Sequence, residues 1–214
     1  MLKHVLFDLD GTLTDPFEGI TNSVVHALER YNIKVEDKKE LRAFIGPPLV
    51  ESFMKYFGFT EAEAKKAVEY YREHFGVKGL FENEIYPGIA DLLKMLKESG
   101  KTVIMATSKP EVYARRIAEH FDIAKYFDYM AGSELNGQRI AKTEVIEYAL
   151  QSLGITDREN CVMIGDRLHD ILGAKKSNMR SIGVLWGYGS REELADAGSD
   201  HICETASDLV EILK

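Results

Sequence analysis

Cysteine is scarce in this chain: Cys161 and Cys203 cannot make a disulfide framework, so a buried core has to hold the fold. Cys161 lies in an apolar, strand-like run, where a thiol is an inert buried side chain. Long apolar runs are also missing, and no stretch approaches a membrane span. The opening apolar run is short and ends in acids, unlike a signal peptide. A cytoplasmic protein with no membrane partner is expected. Positive charge is in deficit, with 27 Lys and Arg against 35 Asp and Glu and a formal net charge of −8. That balance argues against binding a nucleic-acid polymer or an anionic membrane surface. A small anionic substrate remains open, because one local cation reverses the sign of a site. Internal repeats and low-complexity tracts are absent. What remains is 214 residues, 45% apolar and 29% charged, enough for one large domain or a domain with an insert.

The chain is organised around Asp8-Leu9-Asp10-Gly11-Thr12-Leu13-Thr14-Asp15. The preceding Leu2 to Phe7 reads as a strand buried on both faces. Alternate side chains of a strand share a face, so Asp8 and Asp10 can point the same way at its end, and Gly11 permits the turn that follows. Residues 16–80 then look helical throughout. Phe17, Ile20, Val24, Leu28 and Tyr31 recur at helical spacing, a second helix follows Pro47-Pro48, and Thr60 with Glu63 forms a capping box for a third. Beyond Pro87-Gly88 strands alternate with helices. The strands are expected at Thr102–Ala106, Phe127–Ala131, Asn160–Ile164 and Ser181–Leu185, the helices at Ile89–Leu96, Pro110–Phe121, Thr143–Leu153 and Ile171–Ser177, with a last helix after Thr205. This pattern predicts an α/β fold, a doubly wound Rossmann-like parallel sheet, with the helical block inserted after its first strand. The expected division is a core of residues 1–15 and 82–214 and an all-helical cap of residues 16–81.

Three further sites fall at the ends of expected strands. Thr107-Ser108 precede a helix and offer hydroxyls and free N–H groups for a phosphate, or simply cap that helix. Lys142 stands just before another helix and reads, alone, as a solvated charge. Asp166 leaves a strand with Asp170 four residues on, where a helical turn can bring them to one side, although Asp170 could merely complement a helix N-terminus. His169 reads as a solvated loop residue. Asp8, Asp10, Asp166 and Asp170 would converge at one end of one sheet, and four carboxylates repel unless a cation is present. Oxygen ligands with no histidine or cysteine cluster point to Mg²⁺.

These segments, in order, resemble the haloacid dehalogenase-like (HAD) superfamily of aspartyl-phosphate phosphotransferases: the run from Asp8 to Leu13, then Thr107, then Lys142, then Gly165-Asp166 with Asp170. The resemblance spans the chain and implies roles. Asp8 would be the nucleophile and Asp10 the general acid and base. Gly11, Thr107 and Ser108 would hold the phosphoryl group, which Lys142 would neutralise. Asp8, the Asp10 main-chain carbonyl and Asp166 would ligate Mg²⁺, with Asp170 acting through water. The helical block looks like the superfamily's cap, expected to act as a mobile lid, and Arg42 and Phe44 in a loop of it could contact the leaving group. Phe44–Leu49 and Gly183–Gly189 look like the phosphoglycolate phosphatase and 5′-nucleotidase branch. Thr143 stands where many phosphoglycolate phosphatases carry proline, which leans toward the nucleotidases, and Pro16 stands where serine is common. The resemblance implies a phosphatase of a small phosphorylated metabolite, monomeric or homodimeric. A sugar-phosphate phosphomutase and a non-catalytic phosphate-binding module are the alternatives.

Overall fold

A computed structural model describes residues 2–214 of the chain, which divides into two compact units. One comprises the segment ending at Asp15 together with Ile85–Lys214; the other is Pro16–Glu84. The chain passes between them through two short strands, β2 (Thr14–Asp15) and β3 (Glu84–Ile85), which follow β1 (His4–Phe7).

Pro16–Glu84 is helical, as its apolar spacing predicts. It carries α1 (Phe17–Glu29), α2 (Leu49–Phe57) and α3 (Glu61–His74). The capping box at Thr60 forms: its hydroxyl accepts from Glu63 N, while the Glu63 carboxylate accepts from Thr60 N at 2.8 Å. Between α1 and α2 the structure departs from expectation. The loop expected around Arg42 and Phe44 is a 3-10 helix, Lys38–Phe44, whose N-cap Asp37 accepts from Lys39 N. Such short 3-10 turns leave little periodic signal in a sequence. Phe44 is 2% exposed and packs edge-on against Phe53, with ring centroids 5.1 Å apart. It is a core residue of this unit. Arg42 is exposed.

The other unit holds α4 (Ile89–Glu98), β4 (Thr102–Pro110), α5 (Glu111–His120), β5 (Tyr129–Ser133), α6 (Lys142–Ser152), β6 (Cys161–Gly165), α7 (Leu168–Lys176), β7 (Arg180–Val184), α8 (Arg191–Asp196), β8 (His201–Cys203) and α9 (Ala206–Leu213). Six strands form one parallel sheet in the order β5-β4-β1-β6-β7-β8. Val5, Leu6 and Phe7 are all fully buried, so β1 is covered on both faces. Each such side chain contributes about 1.5–3 kcal/mol relative to exposure. β1 is the central strand, with Phe7 level with Met105 of β4 on one side and Ile164 of β6 on the other. From β1 the chain builds outward to β4 and β5, then returns to the opposite side of β1 as β6. The strand order therefore reverses beside β1, and the crevice at the carboxyl ends there is where open α/β sheets place a ligand.

Several bounds differ from the sequence expectation. β4 runs on to Pro110, with its pairing to β5 shifted between Ala106 and Pro110. Gly132 permits this, since a Cβ there would lie 2.6 Å from the Lys109 carbonyl oxygen. β5 starts two residues later than expected, and α7 starts at Leu168, which puts the exposed His169 in its first turn rather than in a loop. α8 and β8, both short, were not expected. Cys161 and Cys203 are buried free thiols, and burial pushes both up to about 11.

Candidate active site

Asp8 follows β1 directly, and its N–H donates to the Ile164 carbonyl of β6 at 2.9 Å. After it the backbone wraps tightly: the N–H groups of Thr12, Leu13 and Thr14 all donate to the Leu9 carbonyl. Gly11 makes that wrap possible at φ +81°, and a Cβ there would fall 2.2 Å from Asp166 Oδ2. The first-strand turn and Asp166 are thus pressed together.

β6 delivers Asp166, which is 1% exposed. Its Oδ1 accepts from the Thr12 hydroxyl at 3.3 Å and its Oδ2 from Tyr188 N at 2.8 Å. The segment around Tyr188 braces the same turn, because Trp186 Nε1 donates to the Thr12 carbonyl and the Tyr188 hydroxyl donates to Asp15. Asp170, also 1% exposed, does two jobs at the start of α7. Its Oδ2 accepts from Arg167 N, the expected helix-terminus role, while its Oδ1 lies 2.9 Å from Lys142 Nζ.

Lys142 is the first residue of α6, and its side chain is only 4% exposed. Its local sequence reads as a surface charge and only the family resemblance put it in the site; the structure buries it between two acids. Nζ lies 2.9 Å from Asp8 Oδ1 and from Asp170 Oδ1, and donates to the Ala106 carbonyl at 3.0 Å. Gly173 of α7 leaves room for its stem, since a Cβ there would approach Lys142 Cγ to 2.8 Å. Burial would lower this ammonium, but Asp170 and Asp8 outweigh burial and hold it above the usual lysine range.

One oxygen each of Asp8, Asp166 and Asp170 lie within 4.8 Å of one another. Burial first, then the neighbouring charges of Asp170 and Asp8, push Asp166 up to about 8. Burial likewise pushes Asp170 up to about 6, against the opposing pull of Lys142. Three carboxylates facing one ammonium leave two negative charges when all are ionised, and a divalent cation would balance them. An all-oxygen donor set under that strain fits a hard cation.

The fourth carboxylate of the sequence pattern is not in this group. Asp10 Oδ2 is 2.5 Å from Lys109 Nζ, a buried ion pair that the sequence did not suggest. Burial raises Asp10 above the usual carboxylate range, with Lys109 opposing. Thr107, 2% exposed, and the half-buried Ser108 lie on the last part of β4 beside these groups in sequence. The helix-capping role does not apply to them: α5 begins at Glu111, with Pro110 as its N-cap. Arg42 belongs to the helical unit.

A Rossmann-like parallel sheet whose central strand ends in a carboxylate, with two further acids and a buried lysine gathered around it, defines the class of α/β phosphohydrolases that work through carboxylates. The chain belongs to the haloacid dehalogenase-like hydrolase family, whose pattern it matches over residues 5–184. A 5′-nucleotidase of Pseudomonas aeruginosa is 49% identical over 211 residues, covering 99% of this chain and 95% of that protein. Tyrosine-protein kinase PtkA of Mycobacterium tuberculosis is 37% identical over 208 residues, covering 97% of this chain and 70% of that protein. Among solved structures, a predicted phosphatase from Clostridium acetobutylicum superposes with a TM-score of 0.95 at 48% identity, covering 100% of this chain and 99% of that one.

Proposed function

We propose that this chain is a Mg²⁺-dependent phosphatase of nucleoside monophosphates, acting through a phosphoryl group carried on Asp8. Phosphatase chemistry on a small phosphomonoester follows from family membership and from the clustered Asp8, Asp166 and Asp170. The observation that carries the mechanism is Lys142 held between Asp8 and Asp170 at 2.9 Å from each. A nucleotide substrate is supported by the 49% identity to a 5′-nucleotidase and by Thr143 after Lys142.

Hydrolysis of a phosphate monoester is very slow without catalysis, and an enzyme-bound phosphoryl group divides it into two easier steps. An Asp8 carboxylate oxygen attacks phosphorus, and the bond to the leaving oxygen breaks. Asp10 gives that oxygen its proton, which fits the raised affinity of Asp10 for a proton. Asp10 then takes a proton from water as the water attacks phosphorus and frees Asp8. Thr107, Ser108 and the backbone at Gly11 hold the phosphoryl oxygens, and Lys142 neutralises charge that grows on them. Asp8, the Asp10 main-chain carbonyl, Asp166 and Asp170 would hold Mg²⁺, which supplies further charge neutralisation.

The test is phosphate release from AMP, phosphoglycolate and a sugar phosphate, with Mg²⁺ and with chelator. Nucleoside monophosphates should give the highest kcat/KM, activity should vanish in chelator, and Asp8→Asn should abolish both turnover and covalent phosphate incorporation. Retention of near wild-type kcat by Asp8→Asn would remove Asp8 from the covalent role.

A further inference from the structure

The acids of the site differ in what fixes them. Asp8 is held by Leu9 N and Lys142, Asp166 by Thr12 and Tyr188 N, and Asp170 by Arg167 N and Lys142. Asp10 shares none of these braces. Among the described residues its carboxylate has one hydrogen-bond partner, Lys109 Nζ at 2.5 Å, and its Oδ1 is buried without any. The Lys109 side chain is 6% exposed, so an ammonium has been taken out of water at this spot, a placement that costs several kcal/mol unless a partner offsets it. Its position is built into the backbone. β4 continues past Thr107, the Thr107 hydroxyl accepts from Lys109 N, and Gly132 lets the shifted strand end pass close to β5.

We propose that Lys109 is the positioning residue for Asp10: it fixes the carboxylate that carries the proton to and from the reacting oxygen, without touching substrate itself. This rests on the phosphatase reading given above. An unrestrained aspartate rotates about two side-chain bonds, and proton transfer requires the carboxyl within hydrogen-bond reach of the leaving oxygen. Loss of Lys109 therefore harms the proton step and leaves phosphoryl binding by the Thr107 and Lys142 side of the site in place.

The leaving group separates this from a merely structural role. An alkyl phosphate such as AMP needs its leaving oxygen protonated, whereas p-nitrophenolate departs without a proton. For Lys109→Met, kcat/KM on AMP should fall about 100-fold while that on p-nitrophenyl phosphate falls less than about 10-fold. Asp10→Asn should show the same selectivity. The double variant Lys109→Met/Asp10→Asn, which leaves no unpaired charge buried, should be no worse on AMP than Asp10→Asn alone. Lys109→Arg, which keeps a cation, should recover part of the AMP activity. Equal losses on the two esters, or additive losses in the double variant, would overturn the proposal. Absence of phosphate release from either ester by the wild type is a different failure, because it would overturn the phosphatase reading beneath it.

Discussion

Asp166→Asn, studied in chelator across the neutral range, isolates what it costs to keep an ionised carboxylate inside the acid cluster. Burial and the charges of Asp170 and Asp8 push Asp166 up to about 8, well above its value of about 3.9 in an unfolded chain. The folded state therefore holds this proton more tightly than the unfolded state. The stabilisation that results is fully present below the unfolded value and is lost as pH rises through about 8. Between about pH 5 and about pH 8 most of that loss occurs, and with one proton of difference, at about 1.4 kcal/mol per pH unit, it amounts to about 4 kcal/mol. The asparagine variant has no such proton, so it should lack this part of the decline. Urea denaturation of both proteins at several pH values gives the difference directly, provided the slope with urea stays the same. The two should be closely matched in acid, and the variant should be the more stable near pH 8. Adding Mg²⁺ should then stabilise the wild type more than the variant, because only the wild type keeps the third carboxylate. A constant difference between the two proteins across the whole range would refute the account of Asp166 as a strained acid.

Gly165→Ala should disturb the acids without touching their chemistry. Its Cβ would lie 2.1 Å from Asp170 Cγ, so Asp170 must shift, and Mg²⁺ affinity measured by titration should drop about 10- to 100-fold. An unchanged affinity would show that Asp170 has no part in holding the ion. Thr107→Val should lower kcat/KM on a nucleotide, phosphoglycolate and p-nitrophenyl phosphate together, since all present the same phosphoryl group. Arg42→Ala should lower them unequally; a uniform loss with substrate ranking preserved would show that Arg42 does not read the leaving group.

Much of the sheet and of the acid cluster was legible because its signals are local. Asp8-Leu9-Asp10-Gly11 sits on a short apolar run, and Asp166 with Asp170 follows another. The two lysines were less legible: Lys142 was singled out only through the family resemblance, and Lys109 not at all. Lys142 becomes special only because α6 sets its first residue against the ends of β1 and β4, across 134 residues from Asp8. Nothing near Lys142 in the chain announces that. Lys109 stood inside a stretch read for its hydroxyls, and its meeting with Asp10 depends on β4 running past Ala106 through a shift in pairing. Apolar spacing gives no warning of such a shift. Phe44, considered in the sequence for contact with the leaving group, belongs to the core of the helical unit, where four aromatic rings surround each other.

The central place of β1 has a consequence for how the chain is made. β1 leaves the ribosome before either of its partners, and neither is near it in sequence. One is β4, beginning at Thr102, and the other is β6, beginning at Cys161. Until those arrive, Val5, Leu6 and Phe7 have both edges of their backbone unpaired. Non-local pairing of this kind makes folding slow and prolongs the exposure of apolar segments to other chains. Synthesis at about 5–20 residues per second leaves β1 waiting roughly 8–30 s before its second neighbour exists. Refolding yield should accordingly fall with protein concentration, and a nascent chain halted before β6 should bind a chaperone through its N-terminal segment.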